Sequence, residues 1–226
     1  MKNKSKAPLI ATVIVAVLAV AAVVALIIVL NSTDGTENPS SSEDSGFTVT
    51  KEFQQECEYA AHDLISASFE VMRLYVFEGL STVSEPYGNE PEDGYYNVYT
   101  EDNGKYNTLE DIEKLVKSVY TEDAAYKIMH NIDGNGFEVF KNRKDVYVGS
   151  EVLGMSADFI PNTSKRDLWA NLKFQVTPKS ETNCEMKIYL GVVEENADLS
   201  EVDESRIAEL EMVKTADGWR FSDFVC

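Results

Sequence analysis

Histidine and cysteine are nearly missing from this chain, with two and three among 226 residues. His62 and His130 stand apart, in no HExxH pattern and no His/Cys cluster, so a structural or surface role is expected and no zinc centre can be assembled from local spacing. A cysteine–histidine nucleophile would need two of these five scattered residues to converge, and no local signature supports it. Cys57, Cys184 and Cys226 are also too few and too widely spaced for the disulfide framework of a small secreted fold. One bridge among them fits; none is the simpler expectation. Basic residues are scarce as well: 20 Lys and Arg against 39 Asp and Glu give a formal net charge of −19. That balance argues against nucleic acid and against docking on anionic lipid or wall polymer. A cationic partner groove, or divalent cations, suits it better. Asp133-Gly134-Asn135-Gly136 has the opening of a calcium loop, but Phe137 and Lys144 stand where such a loop needs oxygen ligands. It reads as a turn. No metal and no cofactor are expected, and without a catalytic set the chain is not expected to be an enzyme.

What is present is one long apolar run. Residues 9–30, LIATVIVAVLAVAAVVALIIVL, carry no charge, and at about 1.5 Å per residue a helix of this length covers about 33 Å, close to the roughly 30 Å hydrocarbon core of a bilayer. They read as a membrane span. Lys2, Lys4 and Lys6 precede it in a short basic tail, residues 1–8, whereas Asp34, Glu37, Glu43 and Asp44 follow it. The positive-inside rule then places the N-terminus in the cytoplasm and everything beyond the span outside the cell membrane. Ala19-Val20-Ala21 would serve as a cleavage site for a secretory signal, but the run is longer than the usual h-region of about 7–15 residues. An uncleaved single-pass anchor is preferred, and either reading exports the rest. Residues 31–46, NSTDGTENPSSSEDSG, hold no apolar side chain and read as a flexible linker. Residues 47–226 remain as one extracytoplasmic domain, with 35 acids against 17 bases, a formal −18.

Within that domain the hydrophobic period starts helical. Phe53, Cys57, Ala60, Leu64, Val71 and Tyr75 form one stripe and Ile65, Phe69, Met72 and Val76 a second, a long helix from Lys51 that Gly79 ends. Cys57 on its stripe reads as a small buried hydrophobe. Residues 81–106 are punctuated by Pro86, Gly88, Pro91, Gly94 and Gly104 around an extended YYNVY piece. Tyr95, Tyr96 and Tyr99, with Glu101 and Asp102 behind them, are candidate partner-binding residues; the competing reading has these rings merely covering the edge of the core. Asn107 and Glu110 have capping-box spacing for a second helix, whose apolar face is Leu109, Ile112, Leu115, Val116 and Val119. Thr121 caps a third, Glu122 to Ile132.

After residue 136 the period becomes two. Phe137–Phe140 and Asp145–Val148 read as a hairpin about Asn142-Arg143, and residues 150–166 as irregular. Alternation then marks four strands: Leu168 to Val176, Cys184 to Val192, Ala208 to Met212, and Trp219 with Phe221. Trp169 falls on the polar phase of its strand, either under a second layer or as an exposed anchor; Trp219 is core. Between the second and third strands Glu194, Glu195, Asp198, Glu201, Asp203 and Glu204 form the densest acidic cluster of the domain. As a solvated loop it needs no function. As a functional element it would steer onto a positive groove or bind calcium weakly, and Glu195, Asp198, Glu201 and Asp203 join the candidate partner-binding residues.

Helices first, then an antiparallel meander whose apolar face needs cover, is an α+β arrangement with the long helix laid across a curved sheet. This order, with TADGWRFSDF as a closing strand, resembles the NTF2-like and cystatin-like rolls. The stretch from GYYNVYTEDNGKYNTLEDIEKLVKSVYTEDAA to FEVFKNRKDVYVG resembles the bacterial cell-surface DL-endopeptidase inhibitor family, in its aromatic strand at Tyr95-Tyr96, the helix after it, the Tyr120-Thr121 pair and the strand pair that follows. This resemblance implies a non-catalytic domain that binds and restrains a cell-wall cysteine peptidase. The runner-up is an NTF2-like pocket for a small ligand, or an envelope interaction domain without inhibitor activity; a degenerate enzyme is third.

Overall fold

The computed structural model describes residues 47–83, 93–99, 105–131, 138–144, 149–192, 194 and 196–225, and these belong to one compact unit, Phe47–Cys226. The candidate span 9–30 lies outside the described residues; among those described, no helix is long and apolar enough to cross a membrane.

Helix α1 (Lys51–Met72) begins at Thr50, whose hydroxyl accepts from the Phe53 N–H at 3.2 Å. Cys57, Ala61, Leu64, Ser68 and Val71, spaced alternately by four and three, are its buried stripe. The helix then widens into a π-helical turn, Arg73–Phe77, in which the Glu78 and Gly79 amides both reach the Arg73 carbonyl at 3.0 Å. Gly79 ends it at φ 72°, with Met155 Sδ and Phe159 each 2.8 Å from where a Cβ would stand. No side chain fits there.

Two four-stranded antiparallel sheets pack on this helical unit. The smaller has the order β1 (Thr82–Val83), β2 (Tyr95–Val98), β4 (Glu151–Ser156), β3 (Phe140–Lys144). The larger is the meander β5 (Leu172–Ser180), β6 (Asn183–Leu190), β7 (Ile207–Thr215), β8 (Gly218–Phe221). Its inner face carries Val176, Cys184, Met186, Ile188, Ala208, Leu210, Met212, Trp219 and Phe221, all in one cluster with the buried face of α1. Its outer face pairs charges across strands, Lys187 with Glu209 at 2.9 Å and Lys179 with Glu185 at 2.8 Å. Helices α2 (Leu109–Val119) and α3 (Glu122–Asn131) meet at Tyr120, which forms a parallel bridge with Phe221 at the edge of the meander. The Tyr120 hydroxyl lies 2.6 Å from Ser68 Oγ, both residues buried, so the α2–α3 joint is tied to α1 and to β8 at once.

The α+β class stands, but the single curved sheet is two sheets, and several local readings shift. The cap of α2 is Thr108, not Asn107: its hydroxyl accepts from the Asp111 amide at 3.2 Å, and the Asp111 carboxylate accepts from the Thr108 amide at 3.0 Å. Asp at the N3 position does the work assigned to Glu110, one residue earlier, and such a cap is worth about 1 kcal/mol. Asn142 and Arg143 are no turn. They lie inside β3, whose partner is β4 in the stretch read as irregular, and Gly154 of β4 leaves the space that the Arg143 stem crosses. Residues 163–170 form helix α4 rather than the start of a strand, because the Asn162 side chain caps it by accepting from the Lys165 amide at 3.3 Å. Trp169 is therefore a buried helical residue, and Leu168 an exposed one.

Where α1 gives way to the π turn, Glu70 gathers cations. Arg73 Nε is 2.9 Å from its carboxylate and Lys105 Nζ 3.2 Å, while the Tyr106 hydroxyl donates at 2.9 Å. Arg73 also reaches Glu78, which Arg166 of α4 meets at 2.8 Å. Burial would raise the Glu70 pKa, but the Arg73 hydrogen bonds and charge outweigh it and bring it from 4.5 to about 2. A pKa lowered by folding stabilises the fold above the unfolded value and loses that contribution as pH falls through the folded one. Urea midpoints should therefore drop between about pH 4.5 and pH 2, and Glu70→Gln should be less stable at pH 6 with a shallower drop; equal pH dependence in both proteins would contradict this.

Candidate partner-binding surface

Strand β2 alternates its side chains between the faces of the smaller sheet, so Tyr95 and Tyr96 point opposite ways. Tyr95 is held by its surroundings. Its hydroxyl donates to the Glu138 carbonyl at 2.9 Å, Lys141 Nζ sits 3.6 Å from the ring centroid, and its own carbonyl accepts from Arg143. Burial first, then the neighbouring Glu138 and Asp93 carboxylates, raise its phenol pKa. Arg143, a buried cation, is paired with Asp93 at 3.2 Å. Tyr95 is thus a fixed part of the sheet, while Tyr96 is half-buried and Tyr99, at 38 % exposure, lies just past the strand, its amide bonded to the Ser81 carbonyl. Glu101 and Asp102 lie outside the described residues.

The acidic loop belongs to the other sheet, between β6 and β7. Glu195 lies outside the described residues. Asp198 and Asp203 each start a short 3-10 turn, their carboxylates accepting from Ser200 N at 2.9 Å and Ser205 N at 2.8 Å, with the two serine hydroxyls adding a second bond apiece. Hydrogen bonding from these serines lowers both pKa values. These two aspartates shape the loop. With Glu194, Glu201 and Glu204 they are exposed and present charge to solvent. Arg206, donating to the Leu190 carbonyl at 2.9 Å through Nε, closes the loop on the meander.

The sequence reading missed the neighbours of Tyr95. Tyr126 and His130, four residues apart on α3 and so on one face, pack with their rings tilted by 49° and centroids 4.4 Å apart, and Tyr126 is 64 % exposed. His130 Nδ1 lies 2.6 Å from a Glu138 carboxylate oxygen, on the residue whose carbonyl holds Tyr95. Tyr126, His130, Glu138, Tyr95 and Lys141 therefore form one continuous cluster of rings and charges. The i, i+4 aromatic spacing was legible; its meeting with β2 was not. His62, by contrast, has Asp63 beside it at 3.6 Å and no comparable setting.

Among the described residues no group of three or more His, Cys, Asp or Glu side chains is placed to hold a metal ion. Cys57 and Cys184 are fully buried, and burial raises both thiol pKa values, the reverse of what a nucleophilic thiolate needs. No family model matches the chain, and no curated protein matches it.

The difference between the two tyrosines is measurable. Tyr95→Phe removes a bond to a partly buried carbonyl and should lower stability by about 1 kcal/mol, whereas Tyr96→Phe should change it by less than about 0.5 kcal/mol in urea titration. Equal losses would show that Tyr95 is not specially held.

Proposed function

We propose that the chain is a membrane-anchored, extracytoplasmic, non-catalytic domain that binds a cell-wall DL-endopeptidase and restrains it. The observation that carries this reading is the aromatic and charged cluster around Tyr95, in which the Tyr126 ring is exposed. Tyrosines held on strands and helices give contact area at low ordering cost, and such rings anchor protein interfaces. Buried, high-pKa thiols at Cys57 and Cys184 support a non-catalytic role. The finer fold reading, an NTF2-like or cystatin-like roll, is part of the proposal, with α1 laid across the meander as its support. In a ligand-binding roll the space between helix and sheet would be kept open. Here Cys57, Ala61, Leu64, Met186, Ile188, Met212 and Phe221 belong to one packed cluster, which favours recognition by the surface over a small-ligand pocket.

Rings and carboxylates should act on different rates. With the full chain in detergent and a purified wall DL-endopeptidase in surface plasmon resonance, Tyr99→Ala or Tyr126→Ala should mainly raise the off-rate. Replacing Glu194, Glu201 and Glu204 together by Gln should mainly slow association. Raising salt from about 0.05 to 0.5 M, which shortens the Debye length from roughly 14 to 4 Å, should remove the charge effect and leave the ring effect. Absence of binding at micromolar concentration would contradict the proposal.

A further inference from the structure

Cys57 stands on the buried stripe of α1 and Cys184 is the first core residue of β6, opposite Pro178 on one side and Met212 on the other. They are 127 residues apart in the chain, yet their Sγ atoms are 3.0 Å apart as thiols, and both residues are 0 % exposed. That separation is inside the roughly 3.5–4.0 Å at which even non-bonded carbons rest, and sulfur is larger. Two inward-facing thiols closer than packing requires are placed for a bond rather than for core filling. The surrounding fold fixes this approach: Gln54 Nε2 donates to the Val176 carbonyl at 3.1 Å, and Lys214 Nζ meets Glu56, next to Cys57, at 2.6 Å.

The geometry points to a Cys57–Cys184 disulfide that forms whenever the chain folds in oxidising surroundings, stapling the long helix to the meander. The oxidant is a disulfide of an extracytoplasmic thiol oxidoreductase or of a small thiol. One cysteine thiolate attacks a donor sulfur, the donor S–S bond breaks, and one donor thiolate leaves and takes up a proton. The second cysteine then attacks the mixed disulfide, the Cys57–Cys184 bond forms, and the other donor thiol departs protonated. Two protein thiols are oxidised and one donor disulfide is reduced. Because burial holds both thiols protonated and out of reach, the exchange belongs to folding, before α1 closes on β6, and the finished bond is shielded from reductants. Closing so long a loop also restricts the unfolded chain. The site itself does not depend on what the domain binds; its occupancy in cells rests on the export reading.

Two arms of one experiment separate these. In the first, the full chain is reduced, unfolded and refolded in detergent with oxidised glutathione, then denatured, labelled with maleimide and mapped by mass spectrometry. A peptide pair linking Cys57 to Cys184, with only Cys226 open to label, is the expected result, and the urea midpoint of the linked protein should fall on adding reductant. Both thiols labelled, glutathione adducts at both, or either cysteine linked to Cys226 instead would overturn the proposal. In the second arm, the chain is acid-quenched from cells and labelled without reductant. The same link there supports export; the same site found reduced in cells, after forming in the first arm, keeps the disulfide site and counts against export.

Discussion

The structure depends on one helix serving two sheets, and the π turn is what allows it. Along Lys51–Met72 the regular 3.6-residue period keeps a single stripe facing the meander. The wider turn at Arg73–Phe77 changes the phase of the side chains, so that Leu74, Tyr75 and Phe77 are all buried. Tyr75 meets Phe140 of the smaller sheet edge-on, with ring centroids 5.2 Å apart. The Val76 carbonyl accepts from the Asn162 amide at 2.8 Å, which ties the turn to the segment leading into α4. The charged cluster at Glu70, Arg73, Glu78 and Arg166 sits at this junction and fixes it from the solvent side.

This arrangement explains which parts were readable in the sequence. The meander was legible from Cys184 onward because each strand has one wet face, and alternation of Glu185, Lys187 and Glu209 with Met186, Ile188 and Ala208 reports that directly. The long helix was legible from its stripes. Of the smaller sheet the extended YYNVY piece, which contains β2, was legible; the β3–β4 pairing was not, because the strands are short and Arg143, a cation by sequence, is buried there by Asp93 and the Tyr95 carbonyl. A polar residue inside a sheet breaks the pattern on which a turn was read. Leu168, Ala170 and Leu172 alternate by coincidence across the end of α4, and only the Asn162 cap signals the helix.

The candidate surface was half legible for the same reason. Tyr95, Tyr96 and Tyr99 form a dense aromatic run in sequence, but tertiary structure divides them: one is locked, the next faces away, the third is exposed. Asp198 and Asp203 are exposed charges that also cap the two 3-10 turns, with lowered pKa values. The cluster of Tyr126, His130 and Glu138 required α3 to meet the residues before β3, a contact that no local period encodes.

Native-state hydrogen exchange tests the central claim, that α1 and its π turn join both sheets into one cooperative unit. Amides of the second half of α1, of β3 and β4, and of β6 and β7 should converge on a common opening free energy as denaturant rises. A smaller sheet that opens separately, at lower free energy and with no exchange in the π turn, would contradict it.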